Sequence, residues 1–185
     1  ALMEPEEVAE AFNHLEQASK VRHFGVSNQN PMIMELLKTA VKQPLKVNQL
    51  QLSAAFTPSF EAGFHVNMEG PKAAVRDSSV FEYCRLTDTV IQAWSVLQHG
   101  YFKGNFVGKE EFAALNNVLN DLAKKYQVTP TAIALAWVLR YPGKMQAVIG
   151  TTNPQHVLEA GKAAEVTLTR KEWYQIYLAA GNDLP

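Results

Sequence analysis

The chain has 185 residues, 47% of them hydrophobic and 19% charged, with 17 basic against 18 acidic side chains and a formal net charge of -1. Such a composition builds a globular core rather than a disordered tail, and without a long block of either sign it offers no footprint for nucleic acid or anionic lipid. The single cysteine, Cys84, forms no internal disulfide and no thiolate cluster, so a reducing, cytoplasmic setting is expected.

No stretch approaches the roughly 18 unbroken apolar residues of a membrane span, and the opening Ala1-Leu2-Met3-Glu4-Pro5 lacks the layout of an export signal. Ala1 runs almost directly into a helical pattern, which suggests a piece of something longer. Val8, Phe12 and Leu15 mark one face of an amphipathic helix running from Pro5 to about Lys20. A short apolar run, Val21 to Val26, stops at Ser27-Asn28 and reads as a strand. Asn30-Pro31 then has the form of a helix cap with proline in the first turn, and Ile33, Leu36, Leu37, Ala40 and Val41 continue the stripe. Beyond Pro44, Leu45 to Leu52 is a second strand.

Between Ser53 and Thr87 the pattern dissolves into a loop insertion punctuated by Pro58, Gly63, Gly70 and Pro71, with one short helix over Val80 to Arg85 opened by Asp77-Ser78. Thr89 to Trp94 supplies a third strand. The glycine-rich stretch Gly100 to Gly108 fits neither period and reads as mobile. Two helices follow, one carrying Phe112, Leu115, Leu119, Leu122 and Tyr126, the other capped by Thr129 and opened by Pro130. Pro142-Gly143 ends them, Gln146 to Ile149 is the fourth strand, and Asn153-Pro154 repeats the cap signal. Thr169 and Glu172 have capping-box spacing before the closing helix.

Strands alternating with helices imply right-handed crossovers and a parallel sheet, so the class is α/β. About four strands are present, whereas a closed (β/α)₈ barrel typically takes ~250 residues; the expectation is a partial barrel, one domain over residues 1–185. In this architecture ligands bind beyond the carboxyl ends of the strands. The residues there are Ser27-Asn28, the Asn48-Gln49 pair, Trp94-Ser95 and Gly150-Thr151-Thr152. Amides, hydroxyls and one large ring, without charge, suit a neutral planar ligand that bears its own amide better than they suit a metal. The five histidines are scattered without ligand spacing, and no metal site is expected.

Taken in order, Gly25-Val26-Ser27-Asn28, Asn48-Gln49, Gln92-Ala93-Trp94-Ser95-Val96-Leu97 and Gly150-Thr151-Thr152-Asn153-Pro154 resemble the aldo-keto reductases, over nearly the whole chain. The resemblance implies the C-terminal half of a (β/α)₈ barrel that binds NADP and reduces a small-molecule aldehyde or ketone. It also implies roles: Ser27, Asn28 and Gln49 on the nicotinamide carboxamide, Trp94 stacked on the ring, and Ser95 and Leu97 by the pyrophosphate. Gly150, Thr151 and Thr152 would face the adenosine 2′-phosphate, and Glu159 the adenine. Gly150 and His156 occupy places where many NADPH-using relatives carry a basic residue and an arginine, which keeps NAD in view as the cofactor.

The family's proton donor is a tyrosine tuned by a lysine and oriented by an aspartate and a histidine, all from the half of the barrel that would precede Ala1. No catalytic residue is therefore assigned in this chain. For Tyr83, Tyr101 and Tyr126 no sequence pattern places a lysine as the tuning partner of an acid, and none of the three is named as one.

Plainer roles stand beside these. Ser27 and Asn28 could serve only as turn residues, Gln49 could be satisfied by a backbone carbonyl, and Trp94 could be core, as Trp137 and Trp173 are expected to be. A second functional reading is a non-catalytic, nucleotide-binding or assembly half-barrel whose open edges pair with another chain.

Overall fold

The computed structural model describes residues 3–58, 79–100 and 103–182. Four strands, β1 (Phe24–Ser27), β2 (Leu45–Gln51), β3 (Val90–Trp94) and β4 (Met145–Ala147), form one sheet in the order β1-β2-β3-β4, every neighbouring pair parallel. Helices α1 (Pro5–Gln17), α2 (Pro31–Lys38), α3 (Val80–Leu86), α4 (Ala113–Tyr126), α5 (Pro130–Leu139), α6 (Pro154–Gly161) and α7 (Arg170–Ala179) surround it in sequence. Among the described residues no helix is long and apolar enough to cross a membrane.

Local chemistry sets most helix starts. The side chains of Asn30, Thr129 and Asn153 accept hydrogen bonds from the N–H groups of Ile33, Ala132 and Gln155, and each cap is followed by proline. Thr169 and Glu172 form the expected capping box. Glu172 is also a hub, for Lys125 and the Tyr126 hydroxyl both donate to it. Burial alone would push its carboxyl up, but the hydrogen bonds from Lys125, Thr169 and Tyr126 outweigh that and hold it down at about 2.

Several boundaries differ from the sequence pattern. β1 begins at Phe24 rather than Val21, and β4 covers Met145–Ala147 rather than Gln146–Ile149. Strand limits follow the neighbour's hydrogen-bonding reach, which hydropathy does not report; after β4 only Val148 N–H continues, to the Ala93 carbonyl at 2.8 Å. α3 starts at Val80 as expected, behind a left-handed Ser79, while Asp77-Ser78 and the centre of the insertion lie outside the described residues. A 3₁₀ turn, Glu110–Phe112, precedes α4. The expected mobile stretch is tied down over residues 103–108. Phe106 is fully buried, and Asn116 donates to the carbonyls of Phe106, Lys109 and Phe112 while accepting from Gly108 N–H.

The sheet has two unlike faces. Val26, Asn48, Leu50, Ile91 and Ala93 share the face under the helices, as their register shows. The larger core unites Leu50, Ile91 and Ala93 with Leu115, Leu119, Ile133, Trp137, Ile176 and Tyr177. α5 is apolar all round, and Ala132 through Val138 are buried without a break, as its central place requires. Trp137 and Trp173 stack at 4.8 Å, and each indole N–H donates to the other residue's carbonyl. Both tryptophans pack as expected. A smaller cluster of Ala9, Met34, Leu37, Val41 and Leu45 lies under α1 and α2.

Candidate functional site

The other face carries Gly25, Val47 and Val90 in one row, Ser27, Gln49, Gln92 and Gln146 in the next, and Gln51 beside Trp94 in the last. Parallel pairing in register puts side chains of one row on one side of the sheet. Four polar residues separated by up to 119 positions thus form a line across all four strands. Gln49 Nε2 donates to Gln92 Oε1 at 3.4 Å, and Gln92 Nε2 donates to Gln146 Oε1 at 2.9 Å. The chain of amides runs in one direction and leaves Gln49 Oε1 as the acceptor at its head.

At the β1 end, Ser27 Oγ donates to the Gln49 carbonyl at 3.1 Å, and Asn28 N–H donates to the same oxygen at 2.9 Å. Asn28 adopts a left-handed φ of 54°, which asparagine tolerates well, and turns the chain off the strand. Gln49 is therefore held through its backbone by β1 and through its side chain by β3. Its neighbour Asn48 has a different task. It is fully buried on the helix side, where its amide donates to the Gln29 carbonyl at 2.8 Å and accepts from Gln29 N–H at 3.4 Å. That pair of bonds anchors the turn which presents Ser27 and Asn28.

Trp94 ends β3 and is half-buried, on the same face as Gln49. Gln51, its register partner, is buried, and Gln51 Nε2 has no hydrogen-bond partner. A buried donor without an acceptor is uncommon and marks a place where one is missing. Ser95 follows with a φ of 52°, its carbonyl accepting from Gln98 N–H, and Leu97 packs on the main core while its carbonyl accepts from Phe106 N–H.

The remaining expected residues follow β4. Gly150 is exposed with open space around it. Thr151 Oγ1 accepts from Asn153 N–H at 3.2 Å and lies 3.4 Å from His156 Nδ1; Thr152 and His156 are exposed, and Glu159 accepts from Gln155 Nε2. No hydrogen bond among the described residues joins this group to Ser27 or Gln49. The structure thus brings Ser27, Asn28, Gln49 and Trp94 to one end of one sheet face and places Gly150, Thr151, Thr152, His156 and Glu159 on the turn and helix beyond the edge strand.

The sequence reading gave no role to Gln92, Gln146 or Gln51. Gln92 could have been singled out, being polar in the apolar run Val90–Trp94; Gln146 gave no such signal. Two of the tyrosines considered from the sequence have a lysine nearby: Lys125 Nζ lies 5.1 Å from the centre of the Tyr126 ring, and Lys38 Nζ donates to the Tyr83 hydroxyl at 2.6 Å. That pair joins α2 to α3 on the outer layer, away from the amide row. Tyr126 serves Glu172, and Tyr101 lies outside the described residues. Burial, partly offset by a hydrogen bond with Asn48, pushes the Cys84 thiol up to about 11, so this cysteine is a packed thiol rather than a nucleophile.

Comparison with known proteins bears on the fold and the family. The chain is 32% identical to a 6-dehydroglucose reductase of Agrobacterium fabrum over 99% of its own length and 55% of the relative's. It is also 32% identical to the oxidoreductase YdhF of Escherichia coli, over 100% of its length and 56% of that protein's. The chain thus spans about half the length of the curated relatives it matches. Among solved structures, an aldo-keto reductase from Klebsiella pneumoniae in complex with NADPH superposes with a TM-score of 0.71 at 21% identity, covering 95% of this chain and 54% of that one. A thermostable aldo-keto reductase in complex with the inhibitor epalrestat gives 0.70 at 20% identity, covering 96% and 55%. The fold is therefore a partial (β/α)₈ barrel, and the amide row lies on the face that a closed barrel turns inward. With the family model for the aldo/keto reductase family matching residues 3–179, the chain belongs to that family of oxidoreductases.

Proposed function

We propose that residues 1–185 act as one half-barrel unit, the cofactor-binding half of an NAD(P)H-dependent reductase of aldehydes or ketones, working in a reducing cytoplasm. The observation that carries the reading is the register row that sets Ser27 and Gln49 side by side with Trp94 on the same face. The donor set fits a carboxamide on a flat ring. Ser27 Oγ has committed its proton to the Gln49 carbonyl and is left to accept, Gln49 Oε1 accepts, and the exposed Asn28 amide can donate. Two acceptors and a donor complement the two N–H groups and one carbonyl of a primary amide. Trp94 supplies a stacking face, and the unpartnered Gln51 Nε2 beside it is a further donor.

When bound, the reduced nicotinamide supplies a hydride to a carbonyl carbon. The contribution of this chain is orientation: three hydrogen bonds at about 1 kcal/mol net apiece decide which ring face meets the substrate. Ser95 and Leu97 would flank the pyrophosphate. The Gly150-Thr151-Thr152 turn leads into α6, whose positive N-terminal end suits an adenosine phosphate, with His156 and Glu159 on the same helix. By the family resemblance NADP is the leading cofactor, and the lack of an arginine on that turn keeps NAD as the competitor. The proton that the product alkoxide needs comes, in this reading, from a tyrosine acid outside the 185 residues.

Titration with NADPH tests the site. Gln49→Ala and Asn28→Ala should each weaken binding about 5-fold or more, the value of one hydrogen bond; for a 3-acetylpyridine analogue, which keeps the carbonyl but lacks the amide N–H groups, the Gln49→Ala loss should shrink and the Asn28→Ala loss should persist. Equal binding by wild type and Gln49→Ala overturns the assignment.

A second reading draws on the sheet's edges. β1 and β4 each have a partner on one side only among the described residues, and Val148 and Ile149 beside β4 are 39% and 37% exposed. Open parallel edges favour pairing with another chain, so a non-catalytic nucleotide-binding or assembly half-barrel is the alternative. Size-exclusion chromatography with a carbonyl-reduction assay separates the two: turnover by a monomer of this chain would refute the absent acid, and self-association without turnover favours the second reading.

A further inference from the structure

At the opposite end of the strands, where β3 and β4 begin, α3, the turn after α5 and the start of α7 enclose a groove of about 470 Å³. That size falls in the range of small-molecule sites. Arg85, Arg140 and Arg170 line it together with Tyr141, Trp173 and Tyr174, and Glu82 is the one carboxylate among its lining residues. None of the three guanidinium groups forms an ion pair among the described residues. Three cations gathered around one hollow without carboxylate partners repel one another, and an anion between them relieves that repulsion.

The groove is also pre-built. Arg140 Nε donates to the Leu168 carbonyl at 2.6 Å, which fixes the plane of its guanidinium and leaves the terminal nitrogens to donate. The Arg85 guanidinium lies over the Tyr141 ring, 5.9 Å from its centre. Trp173 cannot swing, because it is stacked on Trp137 and bonded to it in both directions. Tyr174 meets it edge-on at 5.1 Å, forming an aromatic corner, and is 38% exposed. Burial first, and Glu82 after it, raise the Tyr141 hydroxyl above its ordinary value, so it remains a neutral donor facing the arginines.

We propose that this groove binds an oxyanion carried on a flat aromatic ring, an aryl carboxylate or aryl phosphate, with the anion among Arg85, Arg140 and Arg170 and the ring against the Trp173–Tyr174 corner. Planar guanidinium forks match both oxyanions, and the Tyr174 ring, set edge-on to a Trp173 that is itself stacked on Trp137 and Tyr177, offers an apolar wall for the ring. Neither the amide row nor the residues after β4 take part.

Tryptophan emission, which Trp173 reports directly, is followed while benzoate, phenyl phosphate or neutral benzamide is added. Both anions should give a saturable change and benzamide none. Arg85→Gln combined with Arg170→Gln, two exposed positions whose loss leaves the core untouched, should weaken the anions about tenfold or more. Lys20→Gln combined with Arg22→Gln removes the same charge elsewhere and should leave binding unchanged, as should Gln49→Ala. The proposal is overturned if neither anion binds, if benzamide binds as well, or if the Arg85/Arg170 variant binds like wild type. Loss of binding in Gln49→Ala overturns it too, by moving the anion to the inner face.

Discussion

The two faces of the sheet are built for different ends. On the helix side Leu50, Ile91 and Ala93 vanish into a core closed by locked tryptophans, and Asn48, a fully buried polar residue there, has its amide bonded in both directions. On the inner side Ser27, Gln49, Gln92 and Gln146 stay at least partly open to solvent, linked to one another by bonds as long as 3.4 Å. Burial stabilises in proportion to apolar area, so the first face carries the fold. The second contributes little stability, and its ordered amides make sense as a surface prepared for a ligand.

The contrast is broken most forcefully from the helix side. Trp137→Ala removes a fully buried ring together with the hydrogen bond its indole N–H donates to the Trp173 carbonyl, and should cost about 3–5 kcal/mol in chemical denaturation. A loss below about 1 kcal/mol would mean that the helix-side core is far looser than its packing indicates.

Gly25 tests whether the inner face is wholly free of structural duty. A Cβ built there falls 2.7 Å from both the Val47 side chain and the Val47 carbonyl oxygen, so Gly25→Ala must push β1 from β2. The expected cost is about 1–3 kcal/mol. Because Ser27 and Asn28 both lean on the Gln49 carbonyl, the same shift should also weaken cofactor binding. Stability lost with affinity intact would separate the turn from the β1–β2 spacing.

Glu172, on the helix side, sharpens the contrast by pH. Its folded carboxyl is depressed to about 2, below the ordinary carboxylate value, so its contribution is complete above about pH 4.5 and is lost as pH falls through 2. The melting temperature should therefore drop steadily from about pH 4.5 downward. Glu172→Gln should flatten that slope and cost about 1–3 kcal/mol at neutral pH, since the capping-box and Tyr126 bonds lose their charged acceptor. An unchanged slope assigns acid sensitivity to other carboxylates.

What the sequence discloses follows the reach of each interaction. The caps at Asn30, Thr129, Asn153 and Thr169 were legible because donor and acceptor lie two or three residues apart. The four strands and the polar residues at their ends were legible from hydropathy and punctuation. The amide line was not, for Gln49 meets Gln92 across 43 positions and Gln92 meets Gln146 across 54, and such a meeting depends on register. Lys38 and Tyr83, 45 positions apart, were hidden for the same reason. Asn48 and Gln49 are neighbours of similar chemistry pointing to opposite faces, and only the pairing of β2 with β3 shows which one is structural.

Gln92→Leu makes the smallest and most discriminating change. Gln92 lies on the partly open face, so the substitution should move stability by no more than about 0.5 kcal/mol. It deletes the acceptor that holds Gln49 Nε2, however, and frees the Gln49 amide to turn. If the directed line prepares Gln49 Oε1 to accept, NADPH affinity should fall about 2–5-fold, worth about 0.5–1 kcal/mol, and Gln146→Leu, one step further down the line, should lower it less. A graded loss from Gln49 through Gln92 to Gln146, at constant stability, is the signature of a positioning chain. Equal effects at all three would instead assign each amide its own contact with the ligand, and no effect at Gln92 would leave Gln49 to be held by its backbone alone.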